Sequence, residues 1–490
     1  MTPEEFRAAG HQLIDWIADY RSTLSDHPVA SQVEPGWVRS QLADAPPETP
    51  DSIEDVIADL DSVVVPGHTH WQHPGFYAWF PSNATLSSVL GDLTAAGLGG
   101  LGLSWESGPA LTEMEEQVTA WFADCIGLTA PWKGSIQDTA STGGFLAMLA
   151  AREQATGMAV LRAGIGGHDK ELVVYTGATA NSSVQRAVAA AGIGMERLRH
   201  VPTTDDHGID PVALAEMIAA DRAAGLQPAA IVATVGTTGV TAVDPVPALA
   251  DLARAEGLWL HVDAAMAGAA VILPECADMF AGVDRADSIA LNPHKWLGTV
   301  FDCSLFFVND ARRLTGVMSI DPGFIPSAGG AGEHTDAAES TDAGPTQYRD
   351  WGVPLGRRFR AMKLWMQLRL DGMEATRARL RRDMENARWL AEQIDGVDGW
   401  QVVAPVRLQT ACVRHRPIGD DGRPLTGDAV DAHTAAWVQH LNSSGRALVT
   451  QDKLHGEAMV RLSIGAEQTE RHHVEQLWSD LRTAVAGGEF

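Results

Sequence analysis

Cysteine is scarce in this chain: Cys125, Cys276, Cys303 and Cys412 are scattered through 490 residues without a C-x-x-C pair. That distribution argues against a disulfide framework and a cysteine-ligated zinc site, so no metal is expected. Positive charge is scarce too. Lysine and arginine number 36 against 63 aspartates and glutamates, a formal net charge of -27, which repels nucleic acid and anionic membrane surfaces and leaves neither as an expected partner. Missing as well is any run approaching the roughly 20 apolar residues that span a bilayer. The opening MTPEEFRAAGHQLIDWIADY places carboxylates early and apolar residues at helical spacing, unlike the basic head and apolar stretch of a signal peptide. The expected compartment is the cytoplasm.

What is present reads as three segments. Residues 1–84 hold two helical stretches separated by DAPPETPDS, then the aromatic cluster WQHPGFYAWFPSN. This segment has little core of its own, and a second copy of the chain is the natural surface for it to pack on. Residues 85–365 alternate β-rich runs (ELVVYTG, AAIVATVGT, LWLHVDAA, SIAL, SLFFVND) with helical runs such as SSVQRAVAAAG. Such alternation predicts an α/β domain with a mostly parallel sheet, whose ligand crevice lies at the carboxyl ends of the strands. Residues 366–490 read as an α+β domain, entered through one long helical pattern from LGRRFRAMKLW to ENARWLAEQI. Late in the middle segment, at about 321–347, the run PSAGGAGEHTDAAESTDAGPTQ has almost nothing to bury. It reads as a mobile catalytic loop, with a disordered insertion as the alternative.

Two strand-like runs end on chemically useful groups. LWLHVDAAMAG delivers Asp263, and SIALNPHKWLG delivers His294 and Lys295. A buried lysine amine can bind an aldehyde cofactor as a Schiff base, and a buried carboxylate can hold a pyridinium nitrogen protonated. Taken singly, each also reads as a solvated lysine or a helix cap; together they describe a pyridoxal 5'-phosphate (PLP) site. TASTGG, Thr139 to Gly144, runs straight into the helical FLAMLAARE, so it either cradles a phosphate at a helix amino terminus or merely caps the helix. Thr238, after another strand, can add a hydroxyl to the same crevice.

The motifs HPGFYAWFPSN, SWESGPALTEME, WLHVDAAMAG, NPHKWLGTVFDCS, YRDWGVPLGRRFRAMKLW and VRLSIG, in this order, resemble the group II PLP-dependent decarboxylases typified by aromatic-L-amino-acid decarboxylase. The resemblance implies a fold-type-I PLP enzyme and a homodimer with active sites at the subunit interface. By motif position it makes Lys295 the Schiff-base lysine, Asp263 the partner of the pyridine nitrogen and His294 a neighbour of the phosphate. It gives the phosphate turn to Thr139, Ala140 and Ser141 with Asn292 nearby, and ring packing to Thr238 and Ala265. It assigns the side-chain pocket to Trp71, Trp79, Phe80 and Leu103. Gly356 stands where aromatic decarboxylases of broad or indolic preference often carry glycine. Arg461 matches a family arginine that either meets substrate or forms a structural ion pair.

Two positions depart from the decarboxylase pattern. Asn181 stands where the family usually stacks a histidine on the cofactor, and Phe324 stands where a loop tyrosine helps protonate Cα. Both changes resemble those of aromatic acetaldehyde synthases, which consume O2 and release aldehyde, ammonia and H2O2. The expected activity is therefore decarboxylation of aromatic L-amino acids to amine and CO2, with aldehyde formation as the alternative and His334 as a candidate replacement acid. Trp71, Phe76, Trp79 and Phe80 suit a flat apolar side chain and include no base to receive an acidic one. Glu106 reads as a solvated turn carboxylate.

Overall fold

The computed structural model describes residues 1–319, 344–419 and 422–486. They form two compact units, one of residues 82–381 and one of residues 1–81 with 382–490.

The larger unit is built on a seven-stranded sheet of β1 (Lys133–Gln137), β2 (Leu172–Gly177), β3 (Leu198–Val201), β4 (Gln227–Thr234), β5 (Trp259–Asp263), β6 (Ser288–Leu291) and β7 (Ser304–Val308), in the order β1-β7-β6-β5-β4-β2-β3. The stretch from β3 to β6 is parallel throughout. β7 runs against both of its neighbours, β6 and β1, so β1 points the same way as the parallel strands. The expected α/β class and mostly parallel sheet are observed. β1 and β3 carry too few apolar residues to stand out in the sequence, and the sheet adopts them through backbone pairing.

Strands β2, β5, β6 and β7 are buried along their whole length, which explains their near-continuous apolar composition: helices cover both faces of a parallel sheet. The Ala140–Thr156 helix supplies Leu146, Ala147, Met148, Ala150 and Ala151 to a core shared with Val174, Val232, Ala290 and Phe306. Its side chains are small where it crosses the strands. A Cβ added to Gly143 would lie 3.0 Å from the Phe306 ring.

The smaller unit contains an antiparallel sheet of β8 (Trp400–Val402), β9 (Thr410–His415), β10 (Thr450–Leu454) and β11 (Glu457–Ser463), in the order β10-β11-β9-β8. Its core gathers Trp400, Trp437 and Trp478 with Val413, Val460, Leu462 and Ile464. The helical pattern expected as one long helix is two, Arg360–Asp371 and Met373–Asp395. Gly372, at φ +77°, separates them, a backbone value that glycine reaches without steric cost.

Candidate active site

The carboxyl ends of β1, β2, β4, β5 and β6 lie along one edge of the large sheet, and the residues singled out from the sequence follow directly after them. β5 ends on Asp263, paired in register with Thr234 of β4 and Ala290 of β6. Its Oδ1 accepts the N–H of Ala265 at 2.9 Å, which fixes the carboxyl plane. The Asn292 N–H donates to the Ala265 carbonyl at 3.0 Å, and the Asn292 Oδ1 accepts the Ala140 N–H at 3.0 Å. Three strand ends are thereby linked: the turn after β1, the turn after β5 and the lysine segment after β6.

Thr139 caps the Ala140–Thr156 helix, its hydroxyl accepting the Thr142 N–H, an interaction worth about 1 kcal/mol. Ser141 sits in the first helical turn, where N–H groups without a helical acceptor and the helix dipole favour an anion, while the N–H of Ala140 beside it is given to Asn292. A cavity beneath is lined by Ala140, Ser141, Gly144, Ser183, His261 and Asp263 among others. Across it, Asn181 accepts the Ser183 N–H at 2.9 Å and donates to the Thr238 hydroxyl at 2.9 Å. Thr238 is carried by a loop that the buried Asp244 organises, accepting from Ile209 and Thr234 at 2.8 and 2.6 Å. Burial pushes the Asp244 carboxyl up to about 6.

Two histidines in this region are held neutral. His294 is depressed to about 3, chiefly by burial and then by the charge of Lys295. Its Nδ1 accepts the Cys303 N–H at 2.9 Å, so the ring proton resides on Nε2, a donor. His261, two residues before Asp263 on the same strand, is depressed to about 4 by burial. Its Nδ1 meets the Ser288 hydroxyl at 2.8 Å, and that hydroxyl also accepts from the Trp259 indole at 2.9 Å.

Leu103 and Gly356 come together beside the carboxyl end of β1. The Leu103 carbonyl accepts from Arg349 N–H at 2.8 Å, and the Gly102 N–H donates to the Arg357 carbonyl at 2.9 Å. The Arg357 side of this contact is anchored by a buried ion pair with Glu115, at 2.6 and 3.1 Å. The same carboxylate accepts the Ile136 N–H of β1 at 2.7 Å. A Cβ on Gly356 would meet nothing within 4 Å, so that position is open.

Trp71, Trp79 and Phe80 belong to the smaller unit. Trp71 stacks on Trp79 with ring centroids 5.1 Å apart and contacts Phe76 at 4.7 Å. Arg461 is buried and its guanidinium lies 4.6 Å from the Phe80 ring, a cation against an aromatic position that the sequence did not signal. Glu106 is exposed and accepts from Gln347 at 3.4 Å. Phe324, His334 and most of the 321–347 loop lie outside the described residues. Sequence reasoning overlooked Glu115, Arg357 and His261, although all three stand inside motifs already quoted.

A lysine, a carboxyl and an anion-ready helix terminus at one sheet edge suit an aldehyde, a pyridine nitrogen and a phosphate. Residues 35–416 match the pyridoxal-dependent decarboxylase conserved domain. The chain belongs to the pyridoxal-dependent decarboxylase family. Phenylacetaldehyde synthase of Arabidopsis thaliana is 37% identical over 98% of this chain and 96% of that protein. Tryptophan decarboxylase 2 of Oryza sativa subsp. japonica is 36% identical over 98% and 95%. The solved structure of Oryza sativa TDC with PLP and tryptamine superposes with a TM-score of 0.91 at 33% identity, covering 99% of both chains. This pyridoxal-dependent decarboxylase is thus a fold-type-I carboxy-lyase whose cofactor is pyridoxal phosphate. Among its described residues, no helix is long and apolar enough to cross a membrane.

Proposed function

We propose that the enzyme decarboxylates aromatic L-amino acids to the amine and CO2, with Lys295 as the anchoring lysine. The observation that carries this reading is the succession of Asp263 and Lys295 at the ends of adjacent parallel strands, joined through Ala265 and Asn292. Bound pyridoxal phosphate supplies an electron sink conjugated to the substrate's Cα. Lys295 would hold the cofactor through its aldehyde, its amine being the group that a substrate amine displaces. Asp263, its carboxyl oriented by the Ala265 N–H, would hold a proton on the pyridine nitrogen. The Thr139–Ser141 turn would receive the phosphate at the helix terminus, Thr139 and Ser141 offering donors while the Ala140 N–H holds Asn292 alongside, with the Nε2–H of neutral His294 as a further donor. Thr238 and Ala265 pack against the ring. Trp71, Trp79 and Phe80 offer flat apolar surface suited to an aromatic side chain, and by motif position Leu103 and Gly356 are assigned to substrate as well.

A second reading is favoured by Asn181. Its amide is committed to Ser183 and Thr238 and has no titratable proton, and the sequence offers phenylalanine at 324. With nothing at either position to protonate Cα, amino acid, O2 and water go to aldehyde, CO2, ammonia and H2O2. Aerobic incubation with tryptophan, phenylalanine, tyrosine and dopa, scoring amine, aldehyde and peroxide, tests both readings. Amine without O2 uptake removes the second. Full turnover by Lys295→Ala removes both.

The dimer expected from the sequence is part of this proposal, and the Leu86–Leu98 helix supports it. That helix turns its small residues Ser87, Ser88 and Gly91 inward and leaves Leu86, Leu90 and Leu93 more than 40% exposed on one face. An apolar stripe facing outward marks an interface. We place the enzyme in the cytoplasm, in keeping with free thiols at all four cysteines.

A further inference from the structure

We propose that Arg379 and Gln367 are positioning residues for Lys295, acting as a clamp on the carbonyl groups that follow it. The proposal rests on the reading of Lys295 as the anchoring lysine. Lys295 has φ -96° and ψ -115°, a non-helical conformation inside an otherwise helical turn. A backbone in a sparsely populated region persists only where its surroundings over-determine it.

Those surroundings are helix-borne side chains. One nitrogen of Arg379, Nη2, donates to the carbonyl of Trp296 at 2.9 Å and to that of Leu297 at 2.8 Å. The Gln367 Nε2 donates to the same Leu297 carbonyl at 2.9 Å, while its Oε1 accepts the Thr299 hydroxyl at 2.6 Å. Gln367 is 1% exposed. On the other side, the Thr85 N–H donates to the Gly298 carbonyl at 2.9 Å and the Val300 N–H donates to the Ser88 hydroxyl at 2.9 Å. Gly298 lets the clamp close. At φ +101° it carries no Cβ, and one added there would lie 2.9 Å from Thr85 Cγ2, 3.0 Å from Arg379 Nη2 and 3.2 Å from Gln367 Nε2.

Upstream of the lysine, the Lys295 N–H donates to the Asn292 carbonyl at 3.0 Å. The backbone is thus gripped on both sides of Lys295. Returning its ψ to a helical value would swing the Trp296 and Leu297 carbonyls away from Arg379. The clamp therefore fixes the direction in which the lysine leaves the chain, so that its amine is delivered with its entropy already spent.

The test uses the full chain stripped of cofactor, in wild-type form and as Arg379→Met, Gln367→Leu and Thr299→Val. Amide hydrogen exchange is read over residues 292–301, and the visible absorbance of lysine-bound cofactor is followed after adding pyridoxal phosphate. Exchange at 295–300 should rise about ten-fold in Arg379→Met and Gln367→Leu while β2 and β4 stay unchanged. Cofactor capture should slow by about ten-fold or more, with partial recovery in Arg379→Lys. Exchange and capture within two-fold of wild type in both variants would overturn the clamp. Should either fail to fold, Thr299→Val, which keeps both donors, decides: faster exchange confined to 295–300 supports the clamp and unchanged exchange overturns it. Wild-type protein that gains no chromophore overturns the lysine assignment itself, an outcome distinct from loss of the clamp alone.

Discussion

The side-chain amide of Asn181 donates to the hydroxyl of Thr238 across 2.9 Å while its oxygen caps the Ser182–Ala190 helix. A side-chain amide carries no proton acidic enough to transfer, so Asn181 cannot act as the acid. If aldehyde is a product, Phe324→Tyr restores a phenolic donor and lowers the peroxide released per CO2, and adding Asn181→His lowers it further. A peroxide yield unchanged in the double variant would show that neither position governs the product.

Glu115 should be among the costliest polar residues to lose. Its side chain and that of Arg357 are only 6% and 5% exposed, and it also holds the Ile136 N–H of β1. Glu115→Ala leaves a guanidinium buried without its partner, a loss of about 3–5 kcal/mol. Urea unfolding checks this, and a cost below about 1 kcal/mol would mean that water takes over the role of the carboxylate.

Stability should fall on mild acidification. His261, His294 and His415 are held by burial at about 4, 3 and 4 against an ordinary 6.5. They stay neutral in the native chain and take up protons when it unfolds. The unfolded state thus binds more protons between 6.5 and about 4, and stability drops as pH falls through that window. Each histidine contributes up to about 1.4 kcal/mol per pH unit. Denaturation at about pH 6 and about pH 5 should show a shallower decline in His261→Gln than in wild type.

Leu90→Glu with Leu93→Glu should convert a dimer into monomers, because charges at these exposed positions cannot be buried unpaired in an apolar contact. Sedimentation measures it directly. A double variant that sediments like the wild type would move the interface elsewhere.

The positions of Asp263 and Lys295 in the fold could be read in advance, because strand ends are marked by where apolar runs stop. LWLHVD and SIAL are buried strands, so Asp263 and Lys295 had to follow them at the ligand edge of a parallel sheet. Less of the sheet could be read at its margins. β1 has one large apolar residue, Ile136, and β10 alternates exposed and half-buried positions, so neither shows a hydrophobic signature. The single long helix expected before β8 was wrong because Gly372 lies within a pattern whose periodicity continues on either side.

The sequence by itself determined the α/β class, the cofactor and the chemical types at the site, since strand periodicity and motif order are local properties of the chain. Only the tertiary structure decided which side chains hold those groups in position. Glu115 meets Arg357, Asn292 meets Ala140 and Arg379 meets Trp296 across long separations in the chain. No spacing rule encodes such pairs, because they exist only once the core has excluded water and each buried polar group must find a partner.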